Sequence, residues 1–139
     1  MSDRHFHLKL HSSYRTDENQ IEDLSVEALH EGEWETLDLG IRSPGFLLYI
    51  NGLFSCQHLY MRTNSAECAI ELDQADGELI VDTDETWHIK KIRVHFDAKI
   101  RHGAPTQANI DYITERMYHC PVSSNLPPGV DMKSTVTFL

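Results

Sequence analysis

The chain has 139 residues, of which 40% are apolar, and this is enough for one compact domain with a sizeable core. Twelve basic and twenty-two acidic side chains give a formal net charge of −10 at pH 7, which argues against nucleic acids and anionic membranes as partners. The sequence contains neither an apolar stretch long enough for a membrane span nor a start that resembles a signal peptide. We therefore expect a soluble cytoplasmic protein with a single domain over residues 1–139.

Three strands are predicted at the start of the chain. Residues 5–11 alternate between polar and apolar side chains, which is the period of a strand with one buried face. Residues 24–28 repeat the pattern, and a turn at 31–33 lets 34–39 return antiparallel. The chain is thus expected to open with a β-meander.

A long helix is predicted to follow from about Gly45. Ser43 is a candidate cap for its free backbone donors, and Pro44 suits the first helical position because no N–H is needed there. Apolar side chains between residues 46 and 54 cover nearly every side of the helix, which predicts a central helix buried on most faces. Polar residues return later, so we expect the helix to emerge into solvent near Glu67.

A helix with apolar residues on all sides needs cover from more than one direction. A chain of this length has little sheet to provide it. A second copy of the chain in a dimer is one source of cover, and complete wrapping by the second helix and the sheets is the other. The burial argument favours the dimer.

Two strands and a helix are predicted next. Residues 79–81 are β-branched or apolar, and 92–100 alternate as an amphipathic strand. Pro105 can open a helix with one apolar face, and that helix should end at Cys120 because Pro121 disfavours helical geometry in the residue before it.

A closing strand completes the predicted order. The Pro-Pro-Gly sequence at 127–129 favours a turn, and residues 130–138 can form a strand after it. The order βββ-α-ββ-α-β indicates the α+β class, with an N-terminal meander followed by a central helix and then a second β-region with its own helix.

Two of the three cysteines lie where thiol chemistry is plausible. Because their number is odd and no export signal is present, we expect free thiols rather than a disulfide framework. Cys56 lies within the central helix and Cys120 at the end of the second helix, so only tertiary folding can bring them together. A reactive thiolate needs a nearby cation, for which Arg15 and Arg42 are the candidates. Cys68 should face elsewhere on the central helix and is treated as a bystander.

Two other interpretations of the cysteines stay open. Free cysteines are often inert packing residues. Cys56 with His58, and Cys120 with His119, would together supply a ligand set that suits zinc. Adjacent side chains on a helix diverge, which disfavours the zinc interpretation.

A motif around Cys120 brings a family resemblance. The sequence Tyr-His-Cys-Pro-Val-Ser-Ser-Asn-Leu at 118–126 resembles the Cys-Pro-Val-Ser segment of the OsmC/Ohr family. The resemblance also includes the Ser-Pro helix start, Cys56 and the strand after Trp87, and it spans about residues 34–139. It implies an OsmC-like α+β fold that forms an intertwined homodimer, with the two cysteines of each site near the subunit interface.

The resemblance also implies a reaction. In that family a first cysteine attacks an organic hydroperoxide or peroxide as the thiolate and becomes a sulfenic acid, which a second cysteine captures as a disulfide. A dithiol reductant then reopens the disulfide, and neither a metal nor an organic cofactor is required. Cys56 matches the attacking position and Cys120 the resolving one, which implies detoxification during oxidative or osmotic stress.

One departure from the family pattern leaves enzymatic activity open. Family members usually carry a glutamate after the proline, as partner to an arginine, whereas residues 44–48 here read Pro-Gly-Phe-Leu-Leu. Without this carboxylate, neither Arg15 nor Arg42 would be held as firmly beside Cys56. The alternative is a non-enzymatic dimer that binds an apolar small molecule and whose cysteines only pack.

Overall fold

A six-stranded sheet carries two helices on one face in the computed structural model, which describes residues 3–139. Met1 and Ser2 lie outside the described residues. They belong to the start of the chain, which was not expected to be a signal peptide. The strands and helices, in chain order, are β1 (Arg4–Tyr14), β2 (Ile21–His30), β3 (Glu33–Thr36), α1 (Gly45–Glu67), β4 (Glu71–Thr83), β5 (Ile89–His102), α2 (Gln107–Tyr118) and β6 (Asp131–Phe138). The predicted order of elements and the α+β class are confirmed.

The spatial order of the strands is β3-β2-β1-β4-β5-β6. Neighbouring strands are antiparallel except for β5 and β6, which are parallel. A parallel pair needs a crossover connection, and α2 lies in the crossover here. The segment after α2, which contains Cys120, is consequently returned to the helix-bearing face of the sheet.

The predicted N-terminal meander is present. Its hairpin turns at Glu31 and Gly32, whose φ angles of 51° and 81° are both left-handed, as a two-residue turn matched to strand twist requires. The third strand ends at Thr36, before the predicted limit at Leu39.

The core lies between the sheet and α1. Leu8 pairs with Leu79, which pairs in turn with Val94, so apolar side chains of three adjacent strands form one row under the helix. Gly77 makes room for the Phe96 ring, because a Cβ at this position would lie 2.6 Å from Cε1 of Phe96. The close fit fixes the register of the central strands.

The start of α1 is at Gly45 as predicted, but the predicted serine cap is wrong. The Ser43 hydroxyl accepts a hydrogen bond from the Gly40 N–H at 2.9 Å and therefore closes the preceding turn. Pro44 takes the N-cap position, and its ring offers no acceptor. The prediction placed the serine one residue too close to the helix.

Only one side of α1 is covered within the chain. Ile50, Leu53 and Phe54 face the sheet and are fully buried, whereas Tyr49 and Leu59 on the outer side are each 41% exposed. The predicted burial on most faces is therefore not achieved by one chain.

The far end of α1 is more buried than predicted. Glu67 is exposed as expected, but Met61 and Ser65 are buried, and the Ser65 hydroxyl donates to the Met61 carbonyl at 2.6 Å. Polar side chains can thus face inward here because the helix itself satisfies them. Within residues 3–139 neither helix is long and apolar enough to cross a membrane.

The second helix begins slightly later and ends slightly earlier than predicted. Thr106 caps it by accepting from the Asn109 N–H, and the Asn109 side chain accepts from the Thr106 N–H in return. The helix ends at Tyr118, so Cys120 lies just beyond its C-terminal end.

Candidate functional site

The thiols of Cys56 and Cys120 are close enough for each to shift the pKa of the other. The middle of α1 positions Cys56, and α2, which packs against α1, delivers Cys120 at its C-terminal end. Cys56 is partly exposed and Cys120 is fully buried. Folding thus joins two thiols that are 64 positions apart in the sequence.

Several polar hydrogens point at the Cys120 sulfur. The side-chain amide of Gln57 donates at 3.2 Å and the Ser123 N–H at 3.3 Å. The Ser123 hydroxyl lies 3.1 Å from the same sulfur, and its single hydrogen can instead go to a main-chain carbonyl at the end of α2. Cys120 therefore sits in a pocket of neutral donors.

Gln57 is held in one orientation by three partners. Its amide nitrogen donates to the Met117 carbonyl at 2.6 Å as well as to Cys120, which uses both of its hydrogens. Its oxygen accepts from the Ser134 hydroxyl at 2.7 Å. Because the Met117 carbonyl can only accept, the amide cannot be flipped, and the fully buried Gln57 links α1 to both α2 and β6.

The pKa values of the two thiols are shifted in opposite directions. The pKa of Cys56 is raised to about 11, first by burial and then by its hydrogen bond to Cys120, while a bond from the Val122 N–H opposes the rise. Burial also opposes ionisation of Cys120, but hydrogen bonds from Cys56, Ser123 and Gln57 outweigh it, so that the pKa of Cys120 falls below its ordinary value.

Neither predicted arginine reaches the thiols within one chain. Arg42 is exposed and precedes Gly45, and the eleven helical steps from Gly45 to Cys56 span about 16 Å, beyond the reach of the Arg42 side chain. Arg15 is exposed in the loop after β1, where its N–H bonds the Gln20 carbonyl. Neither guanidinium is among the groups that shift the pKa of Cys56.

The histidines of the zinc hypothesis lie away from the thiols. His58 is buried and its Nε2 lies 2.6 Å from the Tyr14 hydroxyl, on the opposite flank of α1. His119 is paired with Glu115 at the surface, with 2.9 Å between Nε2 and the carboxylate. The described part of the chain contains no cluster of three or more histidine, cysteine or acidic side chains that could hold a metal ion.

Cys68 lies apart from the other two thiols. It is the C-cap residue of α1, and its thiol hydrogen-bonds the Asn109 side chain of α2. Burial raises its pKa, and the Glu67 carboxylate adds to the rise. These neighbours place Cys68 elsewhere on α1, and its role as a bystander stays a prediction.

The sequence analysis missed three residues of the thiol site, namely Gln57, Ser123 and Ser134. Ser123 belongs to the Cys-Pro-Val-Ser motif, but its contact with the sulfur is set by the turn after α2. Ser134 is a polar residue between Met132 and Val136 on the inward face of β6, and this break in the apolar pattern was the available signal. Gln57 carried no signal beyond its place next to Cys56.

Several solved structures with similar folds are described as OsmC-like. An OsmC-like hydroperoxide resistance protein from Jannaschia sp. CCS1 matches with a TM-score of 0.58 and 16% identity, covering 88% of this chain and 86% of that one. An OsmC-like protein from Mycoplasma pneumoniae matches with a TM-score of 0.54 and 12% identity, covering 93% and 95%. An OsmC-like protein from Vibrio cholerae O1 matches with a TM-score of 0.52 and 11% identity, covering 94% and 98%.

No family sequence model and no curated protein matches the chain. The likeness is therefore one of structure, and it extends over nearly the whole of each protein compared. The chain has the OsmC-like fold, as the motif at 118–126 predicted.

Proposed function

We propose that this protein is a thiol-dependent hydroperoxide reductase in which Cys56 attacks and Cys120 resolves. The proximity of the two thiols, through which each shifts the pKa of the other, is the observation on which the proposal rests. The partly exposed Cys56 can meet a peroxide from solvent, whereas the buried Cys120 can meet only Cys56. The difference in exposure supports this division of roles.

The reaction follows from ordinary thiol chemistry. Cys56 loses its proton and attacks the terminal oxygen of the hydroperoxide, the O–O bond breaks, and the departing alkoxide takes up one proton and leaves as the alcohol. The sulfur of Cys120 then attacks that of the Cys56 sulfenic acid, the S–O bond breaks, and the departing hydroxide takes up one proton to become water. A dithiol reductant restores both thiols by exchange. The Jannaschia neighbour is described as a hydroperoxide resistance protein, which is consistent with such a substrate.

A homodimer is part of the proposal. The outer face of α1 presents the half-exposed Tyr49 and Leu59, with Gly52 and Cys56 between them. A second copy laid on this face would bury the apolar side chains and enclose the thiol site. It would also be the source of a cation near Cys56, with Arg15 and Arg42 as the candidates.

The dimer can be tested at Gly52. A Cβ added there meets no atom within 4 Å in the single chain, so a larger side chain starts out into open space and is expected to clash where another molecule covers the face. We expect the unsubstituted protein to have about twice its chain mass of 16.0 kDa by light scattering, Gly52→Trp to dissociate it, and the control Gly52→Ala to leave the mass unchanged. An unsubstituted protein of single-chain mass would contradict the dimer.

A cytoplasmic location is the remaining part of the proposal. A catalytic dithiol must be returned to the reduced state after each turnover, and the cytoplasm keeps thiols reduced. The function would serve defence against peroxides in oxidative or osmotic stress.

The central experiment is a thiol titration. Reduced protein is treated with one equivalent of cumene or tert-butyl hydroperoxide, its free thiols are counted, and its peptides are mapped. We expect two thiols to disappear and a Cys56–Cys120 disulfide to form, with the same result in Cys68→Ser. Unchanged thiols would rule out the reductase.

A non-enzymatic dimer that binds a small apolar molecule is the second candidate. It is favoured by the pKa of about 11 at Cys56, which leaves little thiolate at neutral pH in a single chain. The cysteines would then pack without reacting, and the thiol titration would show no change. Binding of an apolar fluorescent probe that depends on the dimer would support this candidate.

A further inference from the structure

The hydrogen-bond donors at the thiol site are unevenly distributed. The amide of Gln57, the N–H of Ser123 and the hydroxyl of Ser123 all lie within 3.3 Å of the Cys120 sulfur. Cys56 receives one main-chain N–H, from Val122, and its own thiol bonds Cys120. A sulfur anion is stabilised by donors, so this geometry favours the charge on Cys120.

We propose that Cys120 carries the negative charge of the reduced pair and is the base that accepts the Cys56 proton during attack on a hydroperoxide. The second half of this inference rests on the proposed function. It assigns Cys120 a role before resolution, in addition to its role in forming the disulfide.

The proton and electron movements balance. The Cys56 proton moves to the Cys120 sulfur as Cys56 forms a bond to the terminal peroxide oxygen and the O–O bond breaks. The departing alkoxide takes that proton from Cys120 and leaves as the alcohol, which restores the Cys120 thiolate. This thiolate attacks the Cys56 sulfenic acid, and hydroxide leaves as the disulfide forms.

Cys56 is the titratable group that acts on Cys120 from α1. On the β6 side, Ser134 reaches the site only through the oxygen of Gln57. At the end of α2, the Tyr118 hydroxyl accepts from the Ser134 N–H and so faces β6. Within one chain, the charge on Cys120 is therefore decided by Cys56 and by neutral donors.

Gln57 is a positioning residue for this charge. Its amide is locked by Met117 and Ser134, so one N–H remains aimed at the Cys120 sulfur whether or not a proton is present. A fixed donor stabilises the thiolate without reorganisation. Loss of the amide should raise the pKa of Cys120 and leave the more reactive form less populated.

Carbon-13 labelling of cysteine Cβ gives the test, because each thiol then has its own signal, whose shift changes on ionisation. Signals of the reduced protein are assigned with Cys56→Ser, Cys68→Ser and Cys120→Ser and are followed from pH 5 to pH 11. We expect Cys120 to ionise at a lower pH than Cys56. Ionisation of Cys56 first would overturn the inference.

Variants sharpen the test. Gln57→Leu removes the amide donor and should raise the ionisation midpoint of Cys120 by about one to two pH units. Ser123→Ala keeps the main-chain N–H and should raise the Cys120 midpoint by less. This variant provides the test if Gln57→Leu does not fold. Thr114→Val, which removes one hydrogen bond elsewhere in α2, is the control and should leave the midpoint unchanged. An unchanged Cys120 midpoint in the donor variants would also overturn the inference.

These titrations contain no peroxide, so their outcome does not depend on the proposed function. If Cys120 ionises first but the protein consumes no peroxide, the assignment of the charge to Cys120 stands and the proposed reductase activity is wrong. If the protein consumes peroxide but Cys56 ionises first, the proposed reductase activity stands and the role of Cys120 as base is wrong. If the protein is a reductase and Cys120 is its base, the rise in the Cys120 midpoint caused by Gln57→Leu should also move the pH profile of peroxide consumption to higher pH.

Discussion

Two polar pairs on opposite flanks of α1 differ in their response to burial. The Tyr14 hydroxyl and Nε2 of His58 lie 2.6 Å apart, with both side chains at most 2% exposed. Burial lowers the pKa of His58 to about 3 and raises that of Tyr14 far above its ordinary value, so both groups stay neutral. In the thiol pair the pKa of Cys56 is raised and that of Cys120 is lowered.

The difference lies in the donors around each pair. Burial disfavours charge on every group, and the Tyr14–His58 pair is shifted mainly by burial. At Cys120 the donors from Gln57 and Ser123 exceed the cost of burial. A buried pair of titratable groups therefore stays neutral where burial dominates the pKa shifts. It can hold a charge suited to chemistry where hydrogen-bond donors converge on one of the two groups.

The largest expected effect is on peroxide consumption. Cys56→Ser should reduce the rate by more than about a hundredfold because it removes the nucleophile. Cys120→Ser should allow a single turnover that ends with over-oxidised Cys56, since no second thiol can trap the sulfenic acid. Peroxide assays with intact-mass spectrometry distinguish the two, and full activity in both variants would contradict the assigned roles.

The Tyr14–His58 pair should affect stability rather than activity, through the pH dependence of the free energy of unfolding. The pKa of His58 is about 3 in the folded state and near 6.5 when unfolded, so between these values the unfolded chain binds more protons. The free energy of unfolding should then fall by up to about 1.4 kcal/mol per pH unit as the pH drops from about 6 to 3. Urea unfolding of His58→Gln should show a shallower dependence, and an equal slope would refute the assignment.

Removal of the partner hydroxyl should have a smaller effect, confined to stability. Tyr14→Phe leaves Nε2 of His58 buried without its hydrogen bond, at a cost of about 1–3 kcal/mol. Because Tyr14 is remote from the sulfurs, the ionisation midpoint of Cys120 should not move. A Cys120 shift in this variant would show that the two pairs are coupled.

The smallest effect is expected where a polar pair is exposed. His11 and Asp76 lie 2.8 Å apart across β1 and β4, with side chains 52% and 74% exposed. Solvent screens such pairs, so Asp76→Asn should change the free energy of unfolding by less than about 1 kcal/mol. A larger loss would mean that this surface contributes more to stability than its exposure suggests.

Local patterns explain the parts of the fold that were predicted correctly. Strict alternation identified β1, β2 and β5, and the Pro-Pro-Gly turn located β6. Predictions of helix ends were less accurate because a cap depends on a single residue. Ser43 has a suitable side chain, but the turn with Gly40 takes its oxygen.

The site was predictable only in part, for a similar reason. Cys56 and Cys120 could be selected by residue type and by the Cys-Pro-Val-Ser motif. The arginines could not be selected in this way, because neither Arg15 nor Arg42 belongs to a motif. Within one chain, neither is among the groups that shift the pKa of Cys56.

The sequence by itself determined the order of strands and helices along the chain, the place of Cys120 near the end of a helix and the choice of two thiols among three. These features depend on neighbours within a few positions along the chain. Only the tertiary structure decided that the two thiols lie close together, that Met117 and Ser134 hold the Gln57 amide toward Cys120, and which thiol the donors favour. Hydrogen bonds act across space between segments up to 77 positions apart, and no local pattern encodes them.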